Sequence, residues 1–135
     1  MKILGALALA ICQFSSIAMA GSNCPAGLEE QTDTLASWKS IHAFVSQYRS
    51  CIDGGVAEGV DDAIHKLWAD HWDTVPAMLS ITKKDKAFEA FVLKSICAET
   101  FEMKAYARFR KHAETECPSG GTVFCEAALK TCPSA

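Results

Sequence analysis

Residues 61–73 read DDAIHKLWADHWD. With Val60 set at zero and a step of about 100° per residue, Ala63, Ile64, Leu67, Trp68 and Val75 gather on one side, as in an amphipathic helix. His71 falls at about 20°, within that apolar side, and His65 at about 140°, on its polar margin with Asp61 and Trp72. Two rings pointing about 120° apart on one helix cannot converge on one metal ion. H-E-x-x-H needs a four-residue step, and here the step is six. What remains is Asp61 with His65 at i, i+4. They are candidate metal ligands, or an imidazole oriented by a carboxylate, with further groups supplied by other helices. The plainer reading is a surface charge pair near a helix N-terminus. His71 is expected in the core or half-buried with one hydrogen bond, Trp68 in the core, and Trp72 at its rim or as an interface anchor.

Outward from this stretch the apolar positions keep three- and four-residue steps, without the alternation of a strand. Residues 21–33 read as an irregular leader. Thr34 is placed to cap a helix reaching about Ile52, with Leu35, Trp38, Ile41, Val45, Tyr48 and Ile52 on one side and Gly54 and Gly55 as its stop. Asp61 is the expected N-cap of the second helix, which ends or kinks near Pro76, and a short helical piece follows over residues 77–81. TKKD, residues 82–85, resembles a capping box for a third helix carrying Phe88, Phe91, Val92 and Ile96. Thr100 opens a fourth, stopped at Cys117 and Pro118, and residues 123–131 make a last short one. The expectation is all-α, a compact bundle of about five short helices cross-linked by disulfides.

The first twenty residues, MKILGALALAICQFSSIAMA, hold a basic Lys2, an apolar run over residues 3–12 and a small-x-small end at Ala18 and Ala20. These are the parts of a secretory signal peptide cleaved before Gly21. The run is too short to span a bilayer, so no membrane anchor is expected after cleavage. Residues 21–135 then form a single domain. Lys2 leaves with the signal, so 12 of the 13 Lys and Arg stand against 16 Asp and Glu, a charge of −4. That balance argues against nucleic-acid binding, which asks for a basic face.

Cleavage also removes Cys12, leaving Cys24, Cys51, Cys97, Cys117, Cys125 and Cys132. An even set in a small exported chain reads as disulfides rather than zinc ligands, since no C-x-x-C pair occurs. Cys117 and Cys125 flank the flexible PSGGTVF loop, residues 118–124, and are the favoured pair. On one helix Cys125 and Cys132 would lie about 10 Å apart, too far to bond. Cys24, Cys51, Cys97 and Cys132 are left to pair in an order that spacing does not decide.

Residues 53–73 hold six acids against one base, and residues 83–111 eight bases against four acids. The two stretches either pair and are solvated, or make a bipolar surface that orients a partner. His42 sits at the edge of the first apolar face. His112 ends the basic ARFRKH run, residues 107–112, where a helix C-terminus favours a cation. GGVAEG, residues 54–59, has the glycine spacing of a P-loop but lacks the following Lys and Ser/Thr. No G-x-S-x-G elbow, EF-hand loop or C-x-x-C redox pair is present.

AEGVDDAIHKLWADHWDTVP (residues 57–76), FEAFVLKSICAET (residues 88–100) and the later ECP (residues 116–118) resemble small exported bacterial helical proteins of unknown function. Those proteins carry a secretion signal, a helical body and a Cys-Pro near the end. The resemblance covers most of the mature chain. It implies a periplasmic or secreted helical domain and brings no catalytic residue with it.

Three functions compete. The favoured one is an exported binding protein, an inhibitor or immunity protein for an envelope enzyme being one concrete form. It would meet a protein partner in the cell envelope or outside the cell, with Asp61, His65, Asp70, Trp72 and Asp73 as candidate surface residues. It asks for a rigid complementary surface and for no cofactor or catalytic group. The second is a small metal-dependent or acid–base enzyme using Asp61 and His65. The third is a carrier of a small apolar ligand in the bundle core.

Overall fold

The computed structural model describes residues 24–130 and 132. The expected signal peptide and its cleavage site before Gly21 lie outside the described residues. The chain runs through α1 (Leu28–Thr32), α2 (Trp38–Tyr48), α3 (Gly54–Asp70), α4 (Val75–Thr82), α5 (Lys86–Ser95), α6 (Met103–Thr115) and α7 (Thr122–Leu129). Short 3₁₀ turns occupy Arg49–Cys51 and Trp72–Thr74. No strand occurs among the described residues, and the fold is all-α. There are more helices than the five expected because part of the leader coils as α1 and α4 stands as a helix of its own.

Local chemistry sets the helix starts. Ser37, not Thr34, caps α2: its hydroxyl accepts from the Ser40 N–H at 3.1 Å, and the Ser40 hydroxyl accepts from the Ser37 N–H at 3.1 Å. This is a reciprocal capping box with serine in the usual Glu position. Asp85 is itself the N-cap of α5, accepting from the Phe88 N–H at 2.9 Å. Glu102 caps α6 through Lys104 and Ala105 rather than Thr100 doing so. Pro76 opens α4 instead of closing the preceding helix. Proline belongs there, since first-turn N–H groups have no partner within the helix.

Gly54 and Gly55 begin α3 rather than ending α2, so Asp61 lies well inside the helix and caps nothing. Gly54 takes the left-handed conformation, φ 46°, that turns the chain into α3. Farther along, α1 crosses close to α3. A methyl group placed on Gly59 would overlap the Thr32 hydroxyl and lie 2.7 Å from its Cβ. Thr32 is buried, and its hydroxyl donates to the Glu29 carbonyl at 2.6 Å. It has little room to swing aside, so the crossing depends on glycine.

α3 is the central helix, touching α1, α2, α5 and α6. Its buried arc is wide: Val60, Ala63, Ile64, His65, Leu67, Trp68 and Ala69. Trp68 anchors the core, with Trp38 edge-on at 5.3 Å, Phe109 at 4.7 Å, Phe124 at 5.7 Å and Trp72 at 5.8 Å. Cys24–Cys51 ties the leader to the turn before α3. Cys97–Cys132 ties the α5–α6 connection to the chain beyond α7, and Cys117–Cys125 closes the turn between α6 and α7.

Candidate functional site

The structure separates the two residues that an enzyme reading needs together. His65 is only 3% exposed, although its wheel position put it on a polar margin. Ser95 of α5 and Phe101 of the α5–α6 connection cover it from outside the helix. Phe101 stacks flat on the ring, centroids 3.7 Å apart and planes 3° from parallel. Nε2 lies 2.8 Å from the Ser95 carbonyl. A carbonyl only accepts, so Nε2 carries the proton and Nδ1 is a bare acceptor, without a partner among the described residues. Burial lowers the pKa of His65 despite the Ser95 bond and the nearby Asp62 charge.

Asp61, one turn earlier, is half-buried and turns toward α5, where it shares a crevice with Lys94. No hydrogen bond joins it to His65 among the described residues. Burial raises its pKa from 3.8 to about 6, and Lys94 opposes that shift. At pH 7 the carboxylate is therefore ionised where it is poorly solvated. Asp61→Asn is expected to stabilise the protein there by about 1–2 kcal/mol, discounted for the solvent on its open side. The native group binds its proton more tightly than the unfolded one, so this advantage shrinks as pH falls from about 6 toward 3.8. Urea unfolding of both proteins at pH 7 and pH 4 checks it. An equal gain at both values would remove the electrostatic explanation.

The remaining surface candidates also scatter. His71, expected in the core or half-buried, is exposed because α3 ends at Asp70 and His71 leaves helical geometry at φ −132°, ψ 48°. The same break turns Trp72 inward, where it is 9% exposed and its indole N–H donates to the Glu116 carbonyl at 3.0 Å. Trp72 also stacks on His112, which lies 3.3 Å from the Glu116 carboxylate. Asp70 is exposed and holds Arg108 at 2.9 Å, so one acid of residues 53–73 pairs with one base of residues 83–111. Asp73 is exposed. His42 lies 2.9 Å from the Asp85 carboxylate that caps α5. Each histidine thus has separate surroundings. Among the described residues no group of three or more His, Cys, Asp or Glu side chains is placed to hold a metal ion.

A different surface is assembled instead. Glu29, Glu30 and Asp33 of the leader segment meet Glu58 and Asp62 of α3 around an open crevice of about 450 Å³. A second crevice, of about 390 Å³, adjoins it across Thr32, Asp33, Gly59 and Asp62 and reaches Lys66 and His71. Lys66 is the one base among these lining residues, and it holds Asp62 at 2.7 Å. The sequence reading missed the leader acids because it treated residues 21–33 as irregular. Their nearness to α3 follows from the Cys24–Cys51 link and from the bare backbone at Gly59.

Comparison with protein-family models, with curated proteins and with solved structures gives no match.

Proposed function

We propose that the chain is an exported binding protein whose α1–α3 face docks a cationic surface of a protein partner, as an inhibitor or immunity protein for an envelope enzyme would. The observation that carries this reading is the gathering of Glu29, Glu30, Asp33, Glu58 and Asp62 around one crevice, with Lys66 alone beside them. Unlike charges facing each other steer encounter and select partners. The surface is held still by the Cys24–Cys51 link and by the tight α1–α3 crossing, so little ordering entropy is spent on docking.

Three disulfides belong to an oxidising, extracellular-type environment. The signal-like first twenty residues support export. No helix among the described residues is long and apolar enough to cross a membrane. The docking face moves away from Asp61, His65, Asp70, Trp72 and Asp73 because His65 and Trp72 are buried and Asp61 turns toward α5.

Glu30 and Glu58 flank the α1–α3 crossing but are exposed, so Glu30→Lys/Glu58→Lys tests the face without altering the buried contact of Thr32 with Gly59. Capture of a basic partner from envelope and secreted extracts is expected to fall about tenfold or more, with the melting temperature unchanged. Capture by the wild type should weaken with added salt. Equal capture by the reversed variant rules out this face. Retention of no protein by the wild type rules out the function.

A further inference from the structure

We infer that the crevice between α3 and α5 binds a small zwitterion with an apolar side chain, a free α-amino acid being the simplest of its class. The crevice has a volume of about 240 Å³, room for an amino acid of leucine's size. Asp61 and Lys94 both line it, yet they form no ion pair within 4.0 Å among the described residues. Ile52 and Phe91 add apolar lining to a crevice whose carboxylate and ammonium form no ion pair with each other.

The Asp61 carboxylate accepts no hydrogen bond from a described side chain and meets solvent on the open side of the crevice. Burial outweighs Lys94 in setting its proton affinity, as the raised value of about 6 records. An α-ammonium seated on Asp61 replaces solvent with charge-assisted donors. The ligand's carboxylate then faces Lys94, and its side chain lies against Phe91 and Ile52. A simple amine meets repulsion from Lys94, and a simple carboxylate meets repulsion from Asp61. Only a ligand carrying both charges satisfies both walls. This site is separate from the acidic α1–α3 face and stands without it.

The probes are leucine, isoamylamine, which lacks the carboxylate, and 4-methylpentanoate, which lacks the ammonium. Each is titrated into the disulfide-bonded protein while backbone amide shifts are followed by NMR. Leucine is expected to move amides around Asp61 and Lys94, and each single-charge analogue to bind about tenfold more weakly or worse. Asp61→Asn and Lys94→Gln should each weaken leucine by about tenfold. Asp61→Asn is expected to be more stable than wild type, so its loss of binding cannot come from unfolding. Three results overturn the proposal: no leucine-induced shift in this crevice, leucine binding that survives either substitution, or isoamylamine binding as well as leucine.

Discussion

Trp68→Ala is expected to cost about 4 kcal/mol of stability, within the span of large aromatic truncations in tight cores. Trp68 is 0% exposed and touches Trp38 of α2, Phe109 of α6 and Phe124 of α7, besides Trp72 just beyond its own helix. Removing it opens a cavity where these elements meet, and no single neighbour can collapse into that space. The indole N–H, however, is buried without a hydrogen-bond partner among the described residues, so part of the packing gain is already offset. Trp68→Phe removes that stranded donor and is expected to cost only about 1 kcal/mol. Trp38 makes the informative contrast. Its N–H donates to the Thr74 hydroxyl at 2.9 Å, and Trp38→Phe loses that bond, for about 2 kcal/mol. Urea denaturation of the three variants gives the order. If Trp68→Phe proves as costly as Trp38→Phe, the Trp68 N–H has a partner and the account of this core is wrong.

That tryptophan was readable from helical periodicity, as were Trp38, Ile41 and Val45 of α2, all buried. Periodicity works where a helix has one core side and one solvent side. It failed on α3, which has neighbours on several sides. His65 sat on the polar margin of its wheel, but Ser95 and Phe101, far along the chain, cover that margin. It failed again at His71, because a wheel assumes that the helix continues. There the chain leaves α3 and the inward position passes to Trp72.

Caps were legible as chemistry but displaced along the chain. TKKD holds the capping residue of α5, yet it is Asp85 that caps, since Thr82 still belongs to α4. The candidate docking face was the least legible part. Three of its five acids lie in the leader, and what brings them to α3 is a disulfide whose partners spacing left open, together with a glycine that matters only once α1 lies across it.

Cys97→Ala/Cys132→Ala is expected to cost about 4 kcal/mol, the largest loss among the three links, because it closes the longest loop. The sequence separations are 35 residues for Cys97–Cys132, 27 for Cys24–Cys51 and 8 for Cys117–Cys125. Chain entropy alone then gives about 4, about 3.5 and about 2.5 kcal/mol. The native state points the same way for the first link. It holds the connection that carries Phe101, the lid on His65, to the chain leaving α7. Hydrogen exchange in the Cys97→Ala/Cys132→Ala protein should therefore quicken first in α7 and around Phe101, while α2 keeps its protection. If α7 stays protected, packing through Phe124 holds it and the link is only an unfolded-state restraint. Together the three links are worth about 10 kcal/mol at most, comparable with the whole stability of a small domain. Full reduction should then abolish cooperative unfolding at 37 °C, which confines the folded protein to oxidising surroundings. A reduced chain that still melts cooperatively would break that connection between its chemistry and where it can act.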